Sequence, residues 1–253
     1  MLIDTHIHLD AAEFDADREA VVRAAQASGV ARFVIPAVER ANFGQVEALA
    51  AGLPGSVCAF GIHPLFVSRA SERDLDALRT CLQRGVAIAV GEIGLDGYEP
   101  DADPVRSEWF FAEQLKLARA FDLPVILHVR RAQDRVLKYL RRHPVRGGIA
   151  HAFNGSLQQA ETFIALGFRL GFGGAMTYSG SSRIRALAAT LPIESIVLET
   201  DAPDIPPAWL PGGRNTPDNL PRFAACLAEL RGVTPESIAL QTSRNACAAL
   251  GLS

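Results

Sequence analysis

Leu2-Ile3-Asp4-Thr5-His6-Ile7-His8-Leu9-Asp10 is the stretch on which the reading of this chain turns. A short β-branched, apolar run that closes on His-x-His is a strand candidate with polar side chains gathered at its C-terminal end. Working outward from this first run (2–6), comparable runs recur at 32–38, 57–62, 86–93, 124–129, 147–152, 169–172 and 195–199. Between them lie segments of helical spacing, such as 18–27, 75–84, 108–121 and 157–166. Strands alternating with helices imply βαβ units and a parallel sheet. Eight of them in 253 residues predict an α/β fold, a (β/α)8 TIM barrel forming a single domain over residues 1–253. A doubly wound sheet is the alternative, but no glycine-rich phosphate loop follows the first strand.

Local signals punctuate the helices. Ser156 with Gln159 three residues on is a capping box, and Gly167 follows as a C-cap. Gly29 ends the first helix, and Thr216-Pro217 and Thr234-Pro235 each place a capping hydroxyl before a proline. Extra helices after Pro235 close the chain.

Composition narrows the function classes. With 25 Lys plus Arg against 28 Asp plus Glu the net charge is −3, which excludes wrapping of nucleic acid by bulk positive charge. An apolar fraction of 49% and a charged fraction of 21% are those of an ordinary globular chain, not a disordered one. The cysteines Cys58, Cys81, Cys226 and Cys247 have no CxxC spacing and read as free thiols of a reducing compartment. Neither a membrane-spanning run nor a signal-peptide pattern is present, so a cytoplasmic location is expected.

The histidines carry the chemistry. Of six, five fall at or just past the C-terminal ends of predicted strands: His6 and His8 at strand 1, His63 at strand 3, His128 at strand 5 and His151 at strand 6. Glu92 ends strand 4 and Asp201 follows strand 8, while His143 reads as a surface residue. In a barrel these ends converge on one face, where active sites are built. Strand alternation predicts that Asp4, His6 and His8 point inward together, as do His128 with Arg130 and Glu199 with Asp201. Imidazoles and carboxylates crowded into an apolar mouth are costly unless something pairs them, and a divalent metal does. Six nitrogen and oxygen ligands exceed the need of one catalytic zinc and point to two metals sharing a carboxylate. Both lysines, Lys116 and Lys138, lie on helices, so Glu92 is the bridging candidate.

Several segments together resemble a known family. Residues 2–10, Gly61-Ile62-His63-Pro64, Gly91-Glu92-Ile93-Gly94-Leu95-Asp96, Leu127-His128-Val129-Arg130-Arg131-Ala132, His151-Ala152-Phe153-Asn154-Gly155 and Leu198-Glu199-Thr200-Asp201-Ala202-Pro203 are similar to the signature segments of the TatD-type metal-dependent deoxyribonucleases. Gly171-Phe172-Gly173-Gly174 and residues 156–160 look most like its YjjV-like branch. The resemblance runs from Leu2 to about Leu250 and implies a TIM barrel with two divalent metal ions. Their identity, Mg, Mn or Zn, stays open. It also implies a 3′-to-5′ exonuclease acting on nucleic-acid ends, of DNA and as a second candidate RNA. By position, His6 and His8 would bind one metal, His128 and His151 the other. Glu92 would bridge, and Asp201 would complete the first site and act on the attacking water. Where many members have Asn-Glu-Pro after strand 8, this chain has Asn215-Thr216-Pro217, so any role of that glutamate is absent. Ala152 departs from the family pattern His-Cys-Phe.

The remaining polar residues receive roles by position. His63 and Arg130 are expected to touch substrate, Arg130 as a phosphate fork and otherwise as half of a surface ion pair. Asp4 and Glu199 are expected to hold imidazole tautomers from behind, or else to pair barrel arginines. Arg183 and Arg185 begin the seventh helix and are candidate contacts to the strand. Two other functions fit the same residues: an ester or amide hydrolase, such as a deacylase of charged tRNA, and an inert metal-binding accessory factor. No membrane contact and no obligate protein partner are indicated.

Overall fold

Eight strands pair in chain order, every pair parallel: β1 (Leu2–Asp4), β2 (Val30–Pro36), β3 (Ser56–Phe60), β4 (Ala87–Asp96), β5 (Val125–Arg130), β6 (Gly148–Ala150), β7 (Phe168–Phe172) and β8 (Ile196–Leu198). The computed structural model describes residues 1–99 and 103–252. The sheet curls until β8 meets β1, where Thr5 N–H donates to Leu198 O at 3.2 Å, so the barrel is nearly closed. Helices α1 (Arg18–Ala27), α2 (Phe43–Gly52), α3 (Glu72–Gln83), α4 (Pro104–Ala120), α5 (Gln133–Arg142), α6 (Leu157–Ala165) and α7 (Ser182–Thr190) occupy the crossovers. Then α8 (Leu220–Arg231) and α9 (Pro235–Leu250) complete the chain.

The helices form where capping and periodicity agree. Ser156 and Gln159 exchange the two hydrogen bonds of the capping box that opens α6, and Thr234 accepts from Ser237 N–H to open α9. Thr216 does not behave this way. It makes no side-chain cap, and Pro217 begins a single 3-10 turn (Pro217–Asn219) before α8 starts at Leu220.

Two apolar layers follow from strand alternation. Leu2, Phe33, Phe60, Leu127, Leu170 and Leu198 belong to the layer packed against the helices. Ile3, Val34, Ala59, Ala89, Ile126, Ile149 and Val197 form a separate cluster inside the barrel, with Ala246 and Leu250 of α9 packed on it. α9 contacts β1, β6, β7 and β8 and so closes one end of the barrel. The other end is the mouth.

Strand ends at the mouth differ from expectation. β1 stops at Asp4, and His6 and His8 lie beyond it, because Ile7 and His8 donate to Val34 O and Ala202 O instead of continuing the ladder. β4 instead continues to Asp96, three residues past the expected end, through an irregular register against β5 between Val90 and Ile93. Gly91 allows this. A Cβ there would lie 2.6 Å from the Ile126 Cβ, so any larger residue would push β4 and β5 apart. The register shift turns Glu92 into the mouth.

Candidate metal centre

Glu92 is 2% exposed and stands at the middle of the mouth. Its Oε2 faces His6 Nε2 at 3.1 Å and His8 Nε2 at 3.7 Å. Its Oε1 faces His128 Nδ1 at 3.0 Å, His151 Nε2 at 3.3 Å and His63 Nε2 at 3.4 Å. Asp201 closes the first group, with Oδ1 at 3.6 Å from His6 Nε2 and 3.7 Å from His8 Nε2. Asp201 holds φ 57°, in the left-handed region that aspartate enters more readily than most side chains, and Thr200 before it is pinned through Asp4.

The structure brings together all six residues expected at the centre and adds His63. That histidine is 6% exposed, and its Nδ1 accepts from Leu65 N–H, which leaves Nε2 aimed at Glu92. It therefore lies within the cluster and also on the wall of the smaller of two adjoining cavities.

Supporting residues are arranged differently from the sequence expectation. Glu199 lies 3.4 Å from His151 Nδ1 and accepts from Ala152 N–H and from Thr5 Oγ1–H. Gly171 makes room for it, since a Cβ there would fall on the Glu199 carboxylate. Among the described residues Asp4 meets no imidazole ring and pairs no arginine; it accepts from Thr200 N–H at 2.9 Å, Thr200 Oγ1–H at 2.5 Å and His6 backbone N–H at 3.4 Å. The reason is parity. Ile3 belongs to the inner layer and Leu2 to the outer, so Asp4 shares the outer face with Leu2, and the alternation ends before His6.

Asp96 is the residue that sequence reasoning misses. Its Oδ2 lies 2.9 Å from His128 Nε2, and its Oδ1 accepts from Tyr98 N–H at 2.7 Å. With Nε2 held there, His128 presents Nδ1 to Glu92. The signal is present in Gly94-Leu95-Asp96, but only with strand 4 extended to its true end.

Electrostatics show what the cluster lacks. Burial, reinforced by the neighbouring His151, pushes His6 down to about 3, and burial likewise lowers His63. Both imidazoles therefore offer lone pairs at neutral pH. Burial also opposes the charge on His151, yet Asp201, Glu92 and Glu199 outweigh it and raise that histidine to about 10. Burial raises Asp201 to about 6. Glu92 is held well below the usual carboxylate range; burial works against this, and the facing imidazoles of His63, His6 and His151 prevail. The carboxylates of Glu92, Glu199 and Asp201 thus call for positive charge at the centre, which a proton on an imidazole or a cation can supply.

The donor set suits a cation. His6 Nε2 and His8 Nε2 are 3.2 Å apart, and His6 Nδ1 is buried without a hydrogen-bond partner among the described residues. Among the described residues three sets have donor atoms all within 4.8 Å of one another: His6, His8 and Asp201; His6, Glu92 and His151; His63, Glu92 and His128. Imidazole and carboxylate donors of this kind hold Zn, Mn, Fe or Mg.

Two cavities meet at this centre. A cleft of about 840 Å³ runs over β5, β6 and the start of α7, and a cavity of about 370 Å³ lies over β1 and β3. His128, His151 and Asp201 line both.

Comparison with known proteins identifies the fold and its lineage. The sequence profile of the family described as TatD related DNase matches residues 3–251. The chain belongs to the TatD-related DNase family. An uncharacterized metal-dependent hydrolase, YjjV of Escherichia coli K12, is 44% identical over 240 residues, covering 94% of this chain and 93% of its own. The 3′-5′ ssDNA/RNA exonuclease TatD of Erwinia billingiae is 30% identical over 253 residues and 97% of each chain. The crystal structure of Escherichia coli YjjV superposes with a TM-score of 0.96 at 42% identity, covering 100% of this chain and 98% of that one. The TatD-related barrel seen here is thus a (β/α)8 barrel of a metal-dependent hydrolase family. No described helix is long and apolar enough to cross a membrane.

Proposed function

We propose that this protein is a two-metal phosphodiesterase that releases nucleotides from the 3′ ends of nucleic acid. The observation that carries the reading is the division of imidazoles about Glu92, with His6 and His8 on one carboxylate oxygen and His128 and His151 on the other. A carboxylate so placed is built to bridge two ions. His6, His8 and Asp201 would hold one, His128 and His151 the other, with His63 beside the second. Divalent ions held by these residues would supply Lewis acidity toward phosphoryl oxygens and toward water. The donor set leaves Mg, Mn and Zn open.

The chain's own residues do the rest. Asp201 lies where the two cavities meet, and its carboxyl, raised to about 6, is poised to take a proton from the attacking water. Asp96 and Glu199 fix the rings of His128 and His151. His63 borders the reacting phosphate from the smaller cavity, and Arg130 faces the bound strand from the larger cleft. The exonuclease name of the Erwinia relative supports DNA or RNA ends as substrate. Residues 1–253 act as one domain, and the four free thiols suit the cytoplasm.

The test is a single-stranded oligonucleotide labelled at its 5′ end, incubated with chelated protein before and after adding back Mg, Mn or Zn. Stepwise shortening from the 3′ end, only with metal, is the expected result. Release of an acyl group from charged tRNA or a simple ester, with the oligonucleotide untouched, would overturn it.

A further inference from the structure

The two cavities differ sharply in charge. The larger cleft carries Tyr98, Arg130, Arg131 and Arg183 along the wall leading away from the centre. Arg130 Cζ lies 4.0 Å and Arg131 Cζ 4.7 Å from the Tyr98 ring centroid, so one half-exposed aromatic ring holds two guanidinium groups. Arg183 is held by Asn154 Oδ1, which accepts from its Nε at 3.1 Å and from Nη2 at 2.7 Å. Among the described residues none of these three arginines has a carboxylate within 4.0 Å. Arg18, Arg69, Arg84 and Arg214, elsewhere on the surface, are paired that closely. The smaller cavity has the opposite character, with Asp10 and Glu13 on its wall and no arginine or lysine among its lining residues, while Asp204 borders both.

We propose that the Tyr98–Arg130–Arg131 wall is a subsite for the phosphodiester on the 5′ side of the scissile one, which gives the mouth a fixed direction along the strand. The proposal rests on the nuclease reading above and deepens it. Arg130 lies two residues beyond His128 on β5, about 6.6 Å along the strand, a step comparable to one nucleotide of extended backbone. Guanidinium groups presented on an aromatic ring are oriented before the ligand arrives, so a phosphate meets a formed fork rather than two free side chains. The acidic cavity opposite repels a second phosphate and accommodates a terminal residue ending in hydroxyl groups. Substrate polarity therefore follows from the charge of the two walls.

The test uses metal-loaded wild-type protein and two short single strands with free 3′ hydroxyls. In one, the linkage immediately 5′ of the scissile phosphate is a neutral methylphosphonate. The expected result is a kcat/KM lower by roughly ten- to hundredfold for the neutral linkage, the range of one charge-assisted hydrogen bond removed. Equal cleavage of both would leave the nuclease reading standing and overturn the subsite. Cleavage of neither would overturn both. A second readout needs no turnover: anisotropy of a labelled single strand on metal-free protein at varied monovalent salt. The Arg130→Ala/Arg131→Ala double variant should shallow the slope of log K against log salt by about 0.7 for each phosphate that is no longer neutralised. An unchanged slope would overturn the subsite.

Discussion

The two ends of this barrel are made from the same strands and obey opposite rules. At the floor Ile3, Val34, Ile126, Ile149 and Val197 meet Ala246 and Leu250 in a largely apolar layer, beside which Asn245 of α9 donates to Ile193 O and Ile196 O. At the mouth the buried side chains are His6, His63, Glu92, His151 and Glu199, whose nitrogens and oxygens face one another. The backbone follows the same division. Turns entering strands at the floor take positive φ at glycine, as at Gly29 and Gly147, with Asp122 as an exception. At the mouth, positive φ falls on Arg131, Ala152 and Ile205, side chains that resist it, and on Asp201. Most of the strained non-glycine backbone and the titratable cluster are thus gathered at the mouth, and the packed floor supplies stability that tolerates them.

The largest effect that breaks this contrast is expected at its polar centre. Glu92→Ala removes the carboxylate that faces both imidazole groups. It should lose most bound metal and at least about a thousandfold in kcat, the scale of several kcal/mol of metal-derived stabilisation. Metal analysis of the purified variant and single-turnover hydrolysis check it. A variant that keeps two ions per chain would show that Glu92 is not the bridge.

At the floor the currency changes. Ile149→Ala opens a cavity in the inner layer, where Ile149 is fully buried, and should cost about 2–5 kcal/mol of stability. Activity per folded molecule should stay as it was, because no polar contact at the mouth involves this residue. Urea unfolding followed by rate measurement below the transition decides it. A fall in kcat at full folding would mean that floor and mouth are mechanically coupled.

How much is legible in the sequence follows the same divide. Eight apolar runs and their intervening helices announce the barrel, since alternation and helical period are physical consequences of burial on regular backbone. The rim histidines are legible for the same reason, as they sit at strand ends. What fails depends on irregular backbone. Extending strand parity to His8 sends Asp4 inward, although the ladder ends at Asp4. Glu92 reaches the centre through a register shift that no periodicity encodes. Asp96 escapes notice when strand 4 is ended at Ile93. That His63 would meet the far oxygen of Glu92 depends on how β3 and β4 lie in space, and sequence spacing carries no such information.

Asp96→Asn probes the contact that the sequence hides, with a smaller effect. The amide can still hydrogen-bond to His128 Nε2, but it no longer supplies a charge behind the ring. Metal affinity or kcat should fall by about 10- to 100-fold, the usual consequence of altering a partner behind a ligand. Metal titration by competition with a chelator checks the affinity. No change in either quantity would mean that the ring is oriented by Glu92 alone.

The smallest effect belongs to a polar pair at the mouth that is not buried, and it separates polarity from burial. Arg214, from the loop after β8, donates from Nη1 and Nη2 to the two Asp17 oxygens at 2.9 and 2.7 Å, just before α1. Those hydrogen bonds hold the Asp17 carboxyl below its ordinary value. For an acid whose folded pKa is depressed, the stabilisation is complete above the unfolded value, about 3.9, and is lost as pH falls through the lower folded value. Asp17→Asn should therefore lower Tm slightly at pH 7, and the difference from wild type should vanish in acid below that range. Turnover at neutral pH should be unchanged, since solvent screens the pair and no residue of the centre touches it. Paired melting curves across pH test this. A difference that persists unchanged at low pH would mean that Asp17 acts through packing rather than charge. A large loss of turnover would mean that exposed contacts at the mouth govern the centre as buried ones do.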